Sequence, residues 1–200
     1  MAITKLKALG VTANTITASQ IANDTITNTQ INSSAAIAFS KLTGVTNGIT
    51  EADEWRVPSS QAGGNGIITT WERNDTEFEK IGTGMSESSG IFSFPNTGKW
   101  LINFHLYVSA TSFSRYNDMY IQTTVNNSNY NTRAYHSFPV PWASSHMHTG
   151  GTTSFQFDVT NVSTHKVKFM FNPETTSTMT IRGSSTGCNS YVQFLQLAET

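Results

Sequence analysis

The chain is poor in cysteine and in charge. Its single cysteine, Cys188, has no intramolecular partner, and no metal-ligand spacing surrounds it. Only 12% of residues are charged, with Lys+Arg 12 against Asp+Glu 13 and a formal net charge of −1. Nucleic acid is therefore not an expected partner, because its binding rests on clustered Lys and Arg. No apolar run approaches the roughly 18 residues of a membrane-spanning helix. The opening MAITKLKALGV lacks the long apolar core of a signal peptide. Neither membrane insertion nor export by the general secretory route is expected. Helix formers are few outside residues 34–42, whereas Ser, Thr, Asn and Gly are abundant, which points to an all-β chain.

What is present in their place is a repeat. Leu6, Val11, Ile16, Ile21, Ile26 and Ile31 stand five residues apart in a background of Thr, Asn, Ser, Ala and Gln. The decad TITASQIAND, Thr15 to Asp24, is followed by TITNTQINSS, Thr25 to Ser34. Five residues turn an α-helix by about 500°, so no apolar stripe forms. On a flat strand the odd spacing sends alternate side chains to opposite faces. One chain with an apolar residue in five cannot offset an ordering cost of about 1–2 kcal/mol per residue. Several copies, each turning its apolar row to a shared axis, can. The stretch from Leu6 to Ile31 therefore reads as an extended, β-like stalk of a homotrimer. A disordered polar linker is the competing reading.

Residues 34–42 place Ala35, Ala38, Phe39 and Leu42 at helical spacing behind Ser34 as N-cap, so a two-turn helix and a continued repeat both fit. The sequence divides into an attachment and stalk segment (1–50), a linker (51–66) and a head (67–200). In the head, strands are expected at Ile67–Arg73, Phe78–Gly82, Gly90–Pro95, Lys99–Ala110, Met119–Val125, Arg133–Phe138, Thr153–Val159, His165–Phe171, Thr178–Gly183 and Tyr191–Ala198. Trp100, Ile102, Phe104, Leu106 and Val108 fall on one face of the longest of these, as in a core strand of a sandwich. This density of short strands is that of a β-sandwich or jelly roll.

FSFPNTGKWLINFHLYVSA, Phe92 to Ala110, resembles the Phe-x-x-Pro-x-x-Gly-x-aromatic segment of C1q/TNF-like jelly rolls, here Phe92, Pro95, Gly98 and Trp100. The closing YVQFLQLA is similar to the last core strand of those domains. The resemblance implies a ten-stranded jelly roll that trimerises through apolar, aromatic inner surfaces. The repeat, with ITEADEWRV and WERNDTEFEKIGTGM, resembles small structural proteins of tailed bacteriophages in which a stalk precedes such a head. That resemblance implies a virion protein, either a short fibre for host attachment or a capsid decoration. Its N-terminus would meet other virion proteins, a tail adaptor or the capsid.

Motifs of catalysis are scarce. Gly183-Ser184-Ser185-Thr186-Gly187 matches G-x-S-x-G, but a strand follows where a nucleophile elbow needs a helix, so it reads as a turn. Glu51, Asp53 and Glu54 are scattered in the linker, and Glu72, Asp75, Glu77 and Glu79 read as a solvated turn. A depolymerase acting on polysaccharide would need two carboxylates held about 5–9.5 Å apart. His146 and His148, two apart, would share a face of a strand and near a three-fold axis would offer imidazoles to a transition metal. Their flanks, PVPWASS and TGGTT, read instead as a long loop with exposed histidines. Tyr116, Tyr130 and Trp142, in polar or Pro-rich loops, suit stacking on a host surface glycan or packing on a neighbouring copy. The expected protein is a non-enzymatic trimer without cofactor. A secreted lectin-like head is disfavoured by the absent signal sequence.

Overall fold

A computed structural model describes residues 48–142 and 145–199, together with residues 21, 26, 31, 32 and 35. The chain divides into two units, Met1–Val45 and Thr46–Thr200. In the first, Ile21, Ile26 and Ile31 are exposed in the single chain, and Ala35 N donates to Asn32 O at 2.8 Å. The other stalk positions, Leu6, Val11 and Ile16, and the helix considered over residues 34–42, apart from Ala35, lie outside the described residues.

Short apolar alternations separated by Gly, Asn and Ser turns give the second unit its strands: β1 (Ala52–Arg56), β2 (Gln61–Ala62), β3 (Gly66–Ile67), β4 (Glu72–Arg73), β5 (Ser86–Ser88), β6 (Ile91–Ser93), β7 (Gly98–Ala110), β8 (Asn117–Thr124), β9 (Asn131–Ser137), β10 (Met147–Val159), β11 (Lys166–Pro173), β12 (Met179–Ile181) and β13 (Tyr191–Ala198). They form two sheets. One runs β2-β12-β7-β13-β1-β4, with β10 also on β7; the other runs β5-β6-β11-β8-β9, with β3 also on β11. Every pairing is antiparallel. β13 and β12 occupy successive lengths of one edge of β7, Lys99–His105 and Val108–Ala110, which leaves its whole opposite edge to β10.

The alternation on β7 decides the core. Trp100, Ile102, Phe104, Leu106 and Val108 are buried between the sheets, while Leu101, Asn103, His105 and Tyr107 look outward and are half-buried. β11 answers from the other sheet with Val167, Phe169 and Phe171, all fully buried. Phe92 of β6 sits at the centre. Its ring lies 5.5 Å from Trp55, 5.7 Å from Trp71, 5.6 Å from Phe169 and 5.2 Å from Phe194. Edge-on and tilted ring pairs of this kind add to the burial of the rings themselves.

Four expectations are corrected. Residues 51–66, read as a linker, contain β1, which is flanked on both edges by β13 and β4, and Val57 is fully buried. Ile67–Arg73 is not one strand. β3 joins β11 and β4 joins β1, so the chain crosses between sheets while Ile68 and Trp71 turn inward and Trp71 Nε1 donates to Ile68 O at 2.8 Å. Phe78–Gly82 is a loop with one bridge, Ala52 to Ile81, because the backbone that follows donates to the carboxylates of Glu51 and Asp53 instead of to a neighbouring strand. TGGTT is not loop but the first half of β10, paired in register with β7.

The strand directions define two ends. Ala52, Gly98, Thr124, Val159, Lys166 and Ala198 lie at the end where the chain enters β1. Ala110, Asn117, Ser137, Met147, Pro173 and Met179 lie at the far end. Truncating Phe92 to Ala removes the ring on which the two sheets converge. Denaturant unfolding should show a loss of about 3–5 kcal/mol.

Candidate functional site

The acids at and just before β1 act as buried anchors. Glu51, Asp53 and Glu54 are at most 9% exposed. Glu51 accepts from Thr83 N at 3.0 Å, Gly84 N at 2.9 Å and Asn96 Nδ2 at 2.9 Å. Asp53 accepts from Met85 N at 2.7 Å, Trp55 Nε1 at 2.9 Å and Arg73 Nε at 3.1 Å. The loop closes this tightly only with glycine at 84, where φ is +75° and an added Cβ would stand 2.8 Å from Asp53 Oδ2. The fully buried Arg56 pairs with Glu72 at 3.1 Å and Asp75 at 2.6 Å and donates to Asn74 Oδ1 at 2.8 Å. The acidic turn expected to be solvated is thus partly consumed by one guanidinium. These groups hold backbone in place.

Glu54 meets the only cysteine. Its Oε1 accepts from Cys188 Sγ at 3.0 Å and Asn74 Nδ2 at 2.6 Å, and its Oε2 from Gln193 Nε2 at 2.7 Å. Burial, and then the hydrogen bond to the Glu54 carboxylate, push the Cys188 thiol up to about 12. The thiol is therefore held protonated and poorly nucleophilic.

The aromatic candidates are separated by the fold. Tyr130 lies by β9 at the chain-entry end, half-buried, with Lys168 Nζ 4.4 Å from its ring centre. Burial raises its phenol above the ordinary value. Tyr116 and Trp142 lie at the far end, 47% and 82% exposed, and Phe113, not singled out in the sequence, joins them at 46%. The loop from Thr111 to Tyr116 is fastened on two sides. Ser114 and Val140 bridge through Val140 N to Ser114 O at 2.8 Å and Ser114 N to Val140 O at 3.2 Å. Glu174 N donates to Tyr116 O at 3.2 Å, and Thr111 N to Thr178 O at 3.0 Å. Beneath the loop, the fully buried Ser114 hydroxyl lies 3.0 Å from both Tyr116 O and Asn117 Oδ1, while Asn117 Nδ2 donates to Phe138 O at 3.0 Å. Arg115 Nε donates to Glu174 Oε1 at 2.6 Å. The Arg115 partnership holds the Glu174 carboxyl below its usual range. Phe113 and Tyr116 thus stand exposed on a loop held by backbone hydrogen bonds, with the Arg115–Glu174 pair beside Tyr116, and Trp142 is exposed at the same end. The arrangement suits apolar ring faces of a ligand with hydroxyls near them.

His146 and His148 are both exposed, with only His148 inside β10. Its Nδ1 lies 2.9 Å from Tyr107 Oη and its ring stacks on that tyrosine. Among the described residues no cluster of three or more His, Cys, Asp or Glu is placed to hold a metal ion. The cavity of about 390 Å³ between β2, β3 and β12 is lined by no Asp, Glu, His, Cys, Lys or Arg.

This fold recurs in solved structures. Eiger TNF from S. frugiperda aligns with a TM-score of 0.52 at 8% identity, over 77% of this chain and 96% of that one. The fold is a TNF-like jelly roll. Murine APRIL at pH 8.5 aligns with a TM-score of 0.48 at 9% identity, over 74% of this chain and 98% of that one. No protein-family model matches the chain, and no curated protein sequence does.

Two measurements check the site. Iodoacetamide at pH 8 should leave Cys188 of the folded chain essentially unlabelled, and Glu54→Gln should speed labelling by removing the carboxylate that disfavours the thiolate. Ser114→Ala should cost about 1–3 kcal/mol, because a buried polar node loses its partner, and should raise amide exchange in the loop from Thr111 to Tyr116.

Proposed function

We propose that the chain is a homotrimeric surface protein of a tailed-bacteriophage virion, a short fibre that attaches to the host by non-covalent binding. The N-terminal repeat would carry it on the particle and the jelly roll would be its binding head. The observation that carries the reading is the set of exposed aromatics on the far-end loops. These loops present Phe113, Tyr116 and Trp142 at the end of the sandwich opposite the point where the chain enters. Support for association comes from the apolar repeat, whose Ile21, Ile26 and Ile31 are uncovered in the single chain, and from the half-buried outer face of β7. Support for the virion setting is the likeness of the repeat and of the segment that follows it to phage structural proteins. The ligand class is a host surface glycan, whose ring faces stack on aromatics. Tyr130, at the other end, is left out of this site.

Light scattering of the purified chain should give three times the single-chain mass, and a monomer at micromolar concentration would sink the reading. On a glycan array, Trp142→Ala should lose at least about tenfold in binding, the scale of removing one exposed stacking contact, and Tyr130→Ala should not. Gold labelling on intact particles should fall at the tail. Labelling spread over the shell would replace the fibre by a capsid decoration.

A further inference from the structure

β2 and β3 belong to different sheets, and residues 63–65 carry the chain from one to the other. The cavity of about 390 Å³ lies at this crossing. Its volume falls in the range of small-molecule sites, roughly 300–1,000 Å³. Both sides of it are held by hydrogen bonds. On one side Gly63 N donates to Met179 O at 2.8 Å, and Gly64 N to Ala62 O at 2.9 Å. An added Cβ at position 63 would stand 2.7 Å from Met179 Cβ, so glycine is what lets the crossing lie against β12. On the other side Ile68 N donates to Phe169 O at 2.9 Å, and Ile68 O accepts from Trp71 Nε1 at 2.8 Å.

The lining selects the ligand. Ile67, Ile68 and Ile181 give the cavity apolar wall, while Gln61, Asn65 and Thr69 bring two amides and a hydroxyl. None of these three polar side chains has a hydrogen-bond partner among the described residues. No ionisable residue lines the cavity. An ionised ligand would give up its water there and meet no counter-charge. A wholly apolar ligand would strip water from the amides and return no hydrogen bond. A neutral ring with hydroxyls at its edge and C–H groups on its faces suits both kinds of wall, because amides and hydroxyls each donate and accept.

We propose that this cavity binds a neutral sugar ring, its hydroxyls paired with Gln61, Asn65 and Thr69 and its carbon face toward the isoleucines. The site is separate from the exposed aromatics of the far-end loops and requires neither Trp142 nor the trimer.

The test is an amide chemical-shift titration of the full chain with four neutral sugars, D-glucose, D-galactose, D-mannose and N-acetyl-D-glucosamine. At least one should give saturable shifts at Asn65, Gly66 and Thr69, with half-saturation in the millimolar range that a ligand of this size reaches. D-glucuronate, which adds a charge, and cyclohexanol, which keeps a ring but loses most hydroxyls, should bind at least about tenfold more weakly. Asn65→Ala should weaken the sugar about threefold and Gln61→Ala with Asn65→Ala about tenfold, the scale of one and two lost hydrogen bonds. If the double substitution disturbs the spectrum away from the cavity, Thr69→Ala takes its place with the loss expected of a single contact. Trp142→Ala should leave the titration unchanged. Silence from all four sugars overturns the proposal, as does equal binding of glucuronate or cyclohexanol. So do substituted chains that bind like the wild type. Shifts confined to the loop from Thr111 to Tyr116 overturn the cavity and leave the far-end site standing.

Discussion

The two sheets are held by aromatic contact across a dry interface, and Phe92 is where that contact converges. Trp55 of β1, Trp71 beside β4, Phe169 of β11 and Phe194 of β13 all reach its ring. Elements from both sheets and from both halves of the chain therefore depend on one side chain. Charge is sparse and no disulfide is available, so close packing of these rings must carry most of the stability.

A second constraint is the burial of carboxylates on β1. A buried acid is costly unless its oxygens are satisfied. Here the satisfaction comes from backbone N–H groups of a loop that forms no continuous strand pairing of its own. The acids and the loop each solve the other's problem. The same logic applies at Arg56, whose charge is admitted to the interior only because Glu72 and Asp75 travel with it. These groups look chemically active in a list of residues, yet the fold uses them as fasteners.

Much of the fold was legible because β7, β8, β11 and β13 carry strict alternation, and a buried inward face leaves little choice of register. Trp100 to Val108 declared its inner face in the sequence, and Phe92, Pro95, Gly98 and Trp100 declared the fold type. What was hidden was set by distant partners. Ala52–Arg56 looked like a linker because three of its five residues are charged, and their partners Met85, Gln193 and Glu72 lie elsewhere in the chain. The loop from Ile67 to Arg73 looked like one strand because nothing local shows a crossing between sheets. In the candidate site, Tyr116 and Trp142 were visible as loop aromatics, but their distance from Tyr130 follows from strand direction alone. Phe113 was missed because its exposure depends on the Ser114–Val140 bridge, for which the sequence offers only a Ser and an Asn three apart. The position of His148 was misjudged because Gly150 and Gly151 imitate a loop while pairing with Leu106 and Tyr107.

The pairing of β1 with β13 has a consequence for how the molecule is made. The first strand of the head finds its main partner only in the last. On a ribosome adding about 5–20 residues per second, β1 emerges early with only the short β4 within reach, and its other edge waits until β13 has been made. The rings it will bury are exposed in the meantime. Non-local pairing of this kind is slow to form and open to aggregation. Synthesis at low temperature, or with a chaperone that holds nascent chains, should therefore raise the soluble yield more than any change at the surface.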